Sequence, residues 1–154
     1  MPDTIDARLN DLGLSLPDAP APAANYVPYV QSGNLLFVSG QISQDAGGLI
    51  RGRLGAELDT AAGAAAAKTC ALALLAQARA ACGGDLGRVV RVVKLTGFVN
   101  STPDFTGQPE VINGASDLLV AVLGEAGRHA RAAVSAPALP RGVAVEIEAV
   151  FEIA

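Results

Sequence analysis

The chain has 154 residues, 51% of them hydrophobic and only 17% charged, with a net charge of −4. Roughly a quarter of an ordinary soluble domain is charged, so part of this surface is expected to be covered by further copies of the chain, in a homo-oligomer with apolar interfaces. Two lysines and scattered arginines make no basic face able to neutralise phosphates, which argues against a nucleic-acid partner.

The length fits one compact domain. The opening MPDTIDARLNDLGLSLP lacks the apolar stretch of a leader, and no later run suits a membrane span. Cys70 and Cys82 fall in one predicted helix, roughly 18 Å apart at ~1.5 Å per residue, beyond disulfide reach. They read as reduced thiols of a cytoplasmic protein. One histidine and two distant cysteines offer no metal site of the usual donors.

In chain order, a short helix is predicted from Thr4 to Leu12, closed by Gly13. The proline- and alanine-rich SLPDAPAPAAN then reads as an extended arm, so residues 1–25 form an appendage to a domain spanning 26–154. YVPYVQSGNLLFVSGQIS reads as two strands joined by a tight Ser-Gly-Asn turn. Residues 43–58 hold four glycines and suit a loop with a short edge strand.

From Asp59 to Cys82 the spacing predicts a helix, capped by Asp59 or Thr60 and ended by Gly83-Gly84. Ala64, Ala67, Ala71, Leu74, Leu75, Ala78 and Cys82 share one arc of it, the width of a buried face. RVVRVVKLTGFV is an apolar, valine-rich run suited to an interior strand. A second helix is predicted from Pro109 to Leu123, with Pro109 in its first turn. Its stripe is Val111, Ile112, Ala115, Leu118, Leu119, Val122 and Leu123, and Gly124 or Gly127 stops it. Strands Arg131–Ala136 and Val143–Ile153 finish the chain. On the last, the odd positions are apolar while Glu146, Glu148 and Glu152 point the other way. The order β-β-(β)-α-β-α-β-β describes an α+β fold, one mixed sheet with two helices on one face. The other face is expected to meet another subunit.

The residues that could carry chemistry lie near the end. Arg131 opens a strand among small side chains, and a guanidinium there matches a carboxylate with two parallel hydrogen bonds. By spacing alone, a strand-end ion pair explains it more simply. Glu146 and Glu148 share a face about 7 Å apart at ~3.4 Å per residue. If that face is buried, mutual repulsion and lost solvation both raise a carboxyl pKa; a solvated sheet face is the plainer reading. His129 reads as structural or capping, Asn113 and Asp117 as polar helix surface, and Gly33, Gly40, Gly47 and Gly48 make no phosphate cradle.

PYVQSGNLLFVSGQI, GDLGRVVRVVKLTGFV, INGASDLL and RAAVSAPALPRGVAVEIEAV together resemble the RidA (YjgF) family, over roughly residues 26–153. The resemblance implies a chorismate-mutase-like fold and a homotrimer with ligand clefts between subunits. It implies cofactor-free hydrolysis of reactive enamines and imines such as 2-aminoacrylate, yielding a 2-keto acid and ammonia. By that resemblance Arg131 holds the substrate carboxylate and Glu146, in preference to Glu148, positions the attacking water. Tyr29, Ser39, Gly40, Asn113 and Ala133 then fall at substrate-binding positions. Ala133 replaces the cysteine common in the well-known deaminases, His129 stands where a proline is usual, and the arm and the 43–58 loop are longer, as in a distinct subgroup. A non-catalytic module binding small carboxylates in the same cleft is the alternative. Net charge argues against RNA cleavage, and chorismate rearrangement shares the fold alone.

Overall fold

A computed structural model describes residues 4–154. The first helix, α1 (Ile5–Asp11), is capped by the Thr4 hydroxyl, which accepts from the Ala7 amide at 3.0 Å. The arm that follows is tied down at its middle, where buried Gln77 donates Nε2 to the Pro20 carbonyl at 2.7 Å. Strands β1 (Tyr29–Ser32) and β2 (Leu35–Ile42) form the predicted hairpin, with Gly33 in the left-handed region at φ 62°. The expected short edge strand is instead a separate two-residue hairpin, β3 (Gln44–Asp45) with β4 (Gly48–Leu49), outside the main sheet.

Helix α2 (Thr60–Ala81) starts where the Asp59 carboxylate accepts from the Ala62 amide and ends at Gly83-Gly84. It is buried around more of its circumference than the single predicted arc, in part because the arm lies beside Ala73 and Gln77 on its outer side. By length and composition α2 is also apolar enough to cross a membrane, contrary to the sequence expectation, but most of it is buried inside the domain as a core helix. Strand β5 (Val89–Asn100), helix α3 (Gln108–Leu123), strand β6 (Ala130–Ala136) and strand β7 (Val145–Ile153) complete the chain. The buried residues of α3 are the seven of the predicted stripe.

The five-stranded sheet has the order β1-β2-β7-β5-β6. Strand β7 is antiparallel to both β2 and β5, and β6 is parallel to β5. Both helices are therefore crossovers between parallel strands, β2–α2–β5 with β7 inserted, and β5–α3–β6. They step across the sheet in the same direction, so the right-handed crossover rule puts both on one face. The core lies between that face and the helices, with Leu36, Leu95, Ile147 and Phe151 fully buried. The opposite face has no helix over it.

Close approach of α2 and α3 depends on Gly114. A Cβ there would sit 2.1 Å from the Ala64 carbonyl oxygen, a backbone atom that cannot swing aside. Gly114→Ala is expected to cost about 3 kcal/mol, the upper part of the overpacking range; thermal unfolding of the variant checks this.

Candidate functional site

Arg131 is the second residue of β6 and lies beside Leu95 of β5, so it shares the helix-covered side of the sheet with that buried leucine. At this outer edge the helices no longer cover the sheet fully, and Arg131 stays half-buried. Its guanidinium folds onto the first three turns of α3. Nη1 donates to Asn113 Oδ1 at 2.9 Å and to Ser116 Oγ at 3.1 Å, and Nη2 donates to the Pro109 carbonyl at 3.2 Å. The ion pair that spacing favoured is not formed, since all three partners are neutral. Among the described residues the salt bridge present is Arg128–Glu125.

A guanidinium carries five N–H donors. The three contacts occupy both hydrogens of Nη1 and one of Nη2, leaving Nε–H and the second Nη2–H. Nε, which makes no hydrogen bond, shares one edge of the plane with Nη2, the edge that takes a carboxylate with two parallel bonds once the Pro109 carbonyl holds the Nη2 hydrogen on the other side. A half-buried positive charge is thus left with no carboxylate partner and with Nε unbonded.

Glu146 belongs to a different surface. Its register neighbours are Ile42 on β2 and Phe98 on β5, and Phe98 lies in turn beside Val134 of β6, all on the face without helices. The β2–β7 register shifts between Val38 and Gln41, making a bulge at Ser39-Gly40. The Ser39 hydroxyl pins that bulge by donating to the Val27 carbonyl at 2.7 Å. Gly40 leaves room for the Glu146 carboxylate: a Cβ there would be 2.3 Å from Oε2, so a larger residue would have to push that side chain aside. Loss of solvation raises the Glu146 pKa above the usual glutamate value, and the charge of Glu148 raises it further. The strand pattern made both causes conditional on burial of this face, and Glu146 is half-buried here.

The predicted site residues therefore divide into two groups. Arg131 and Asn113 meet on the helix side, where the Ala133 methyl also packs against the core. Glu146, Gly40 and Ser39 meet on the open face. Tyr29 pairs with buried Val38 and packs on the edge of the core. Strand β5 lies between β7 and β6, so the two groups are separated by a strand as well as by the sheet itself. One chain does not bring the anchor and the glutamate together.

The open face is apolar around the carboxylates. Val30, Phe37 and Val134 are 53%, 46% and 45% exposed, an unusual level for a water-facing sheet of this composition. A shallow groove of about 280 Å³ runs past Tyr26, Phe37, Ser39 and Glu148. Ser116 and the Pro109 carbonyl were missed by sequence reasoning; the signal was Ser116 standing three residues after Asn113, on the same helical face. Cys70 and Cys82 are free and buried, and burial pushes both thiols up. Among the described residues no group of three or more His, Cys, Asp or Glu converges as a metal site would require.

The fold and this pair of surfaces define an α+β protein of the chorismate-mutase-like class, with an arginine that has no carboxylate partner on one side of the sheet and a desolvated carboxyl on the other. Residues 6–151 match the family described as "YjgF/chorismate_mutase-like, putative endoribonuclease". The Trypanosoma cruzi protein TCP17 is 55% identical over 97% of this chain and 94% of its own length. The crystal structure of an Agrobacterium tumefaciens protein of unknown function is 51% identical, with a TM-score of 0.92 over 99% of this chain and 94% of that one. RidA from an Antarctic Psychrobacter is 32% identical, with a TM-score of 0.62 over 88% of this chain and 94% of that one. The chain belongs to the YjgF/RidA family.

Proposed function

We propose that this chain hydrolyses reactive 2-imino and enamine acids to 2-keto acids and ammonia, without a cofactor, in clefts between the subunits of a homotrimer. The observation that carries the reading is Arg131: its charge has only neutral partners, and its Nε is unbonded. Since Arg131 and Glu146 face opposite sides of one sheet, a complete site takes Arg131 from one copy and Glu146 from the next. The apolar open face, with Val30, Phe37 and Val134 exposed, is the surface such packing would cover.

The chemistry follows from the two groups. Arg131 holds the substrate carboxylate through Nε and Nη2, which fixes C2 in the cleft. An enamine first takes a proton at C3 to become the iminium, whose C2 is already electrophilic. Glu146 accepts a proton from a water as its oxygen adds to C2. The same carboxyl then returns that proton to nitrogen, the C–N bond breaks, and the hydroxyl proton leaves as the keto group forms. The net change is iminium plus water to 2-keto acid plus ammonium. A carboxyl with a raised pKa suits this exchange, because it both takes and gives a proton near neutral pH.

The test is coupled turnover. A pyridoxal-phosphate dehydratase generates 2-aminoacrylate from serine, and pyruvate release is followed with and without the protein. Acceleration is expected, from a species whose native mass is three chains. Failure to accelerate any of the imines derived from serine, threonine or other amino acids would sink the reading. Saturable binding of small carboxylates without acceleration would make the protein a binding module instead.

A further inference from the structure

Arg131 is itself held by a hydrogen-bond chain whose direction can be read atom by atom. His129 stands just before β6, after a short 3-10 turn at Gly124–Gly127 that follows α3. Its Nδ1 lies 2.6 Å from the Gly127 carbonyl. A carbonyl oxygen can only accept, so Nδ1 carries the hydrogen and a neutral ring keeps its lone pair on Nε2. Nε2 lies 2.9 Å from Ser116 Oγ, which must therefore donate to it. With its proton committed to His129, Ser116 turns its oxygen lone pairs to Arg131 Nη1 at 3.1 Å. A serine inside a helix more often bonds back to the carbonyl four residues earlier; here His129 draws the hydroxyl outward instead.

We infer that Ser116 and His129 are positioning residues for Arg131, setting the plane of its guanidinium and so the direction of its Nε–Nη2 edge. This rests on the reading of Arg131 as the carboxylate anchor. Asn113 and Pro109 supply the other two contacts, but Asn113 is exposed and the Pro109 carbonyl is the longest of the three. Ser116 is half-buried and is the one partner backed by a further residue.

The experiment uses the full chain as wild type, Ser116→Ala, His129→Ala and His129→Gln. The glutamine amide oxygen can accept from Ser116 where Nε2 did. Nitrogen-15 NMR of the arginine side chains reads whether rotation of the Arg131 guanidinium is hindered, with Arg131→Lys assigning the signal. Separate Nη1 and Nη2 signals are expected in wild type, merged in Ser116→Ala and His129→Ala, and restored in His129→Gln. In the coupled assay KM for the imino acid rises about tenfold in the two alanine variants, with kcat changed far less, and glutamine recovers most of it. Hindered rotation unchanged in both alanine variants, or lost equally in His129→Gln, overturns the inference. If wild type hydrolyses no imine, the functional reading fails while the NMR comparison still decides whether Ser116 and His129 hold Arg131.

Discussion

Arg131→Lys is expected to lower kcat/KM for 2-imino acids by about a hundredfold while leaving the fold intact, and Arg131→Ala by roughly a thousandfold, within the range for removing a desolvated charge partner. Lysine keeps the charge but not the plane. One ammonium cannot give three contacts to α3 and still present two parallel donors to a carboxylate. The loss should fall mainly on KM in the lysine variant, because the anion is still attracted but no longer oriented. In the alanine variant kcat falls too, since C2 is no longer held at the water. The cost to stability is small, because Arg131 makes neutral contacts at an edge and pairs with no carboxylate. Coupled pyruvate release and thermal unfolding on the same preparations check both halves. Equal turnover by wild type and Arg131→Ala would remove Arg131 from the site.

Glu146→Gln is expected to lower kcat by about a hundredfold or more, the usual contribution of a positioned acid–base group, and to raise thermal stability at neutral pH. Burial and the Glu148 charge raise the Glu146 pKa in the folded chain above the ordinary 4.5. The folded state therefore holds the proton more tightly than the unfolded one. Its favourable contribution is complete below pH 4.5 and is lost as pH rises through the folded value. Glutamine never ionises, so the variant should melt above wild type at pH 7, with the gap closing as pH falls below 4.5. Glu148→Gln removes one of the two causes and should move the acid limb of the activity profile to lower pH, with turnover retained. Melting curves and rates across pH test these signs together. A variant that melts lower than wild type at neutral pH would contradict the desolvated carboxyl.

Much of this molecule was legible in the order of its residues. The α3 stripe, the Asp59 cap, the glycines that end α2 and the alternation on β7 are local patterns, set by helical and strand periods within a few residues. They placed the elements and put Glu146 opposite the apolar face. The family was legible as well, because its motifs are short contiguous strings. The two-residue hairpin at 44–49 was not, since so short a pairing depends on the loop's anchors: the Gln44 amide on the Thr69 hydroxyl and the Ile50 amide on the Ser43 carbonyl. Nor was the burial of α2 on its outer side, which comes in part from an arm more than forty residues earlier.

The site shows the same division. Composition determined that the surface is short of charge, and the family motif, rather than residue spacing, singled out Arg131 and Glu146. Only the tertiary structure decided that they lie on opposite faces, because side-chain direction depends on strand register and on β5 standing between β7 and β6. It also turned His129 from a capping residue into a partner of Ser116, and Ser116 into a partner of Arg131. The crossover through α3 brings residues 113, 116, 129 and 131 within hydrogen-bond reach, and no local period of the chain encodes that meeting.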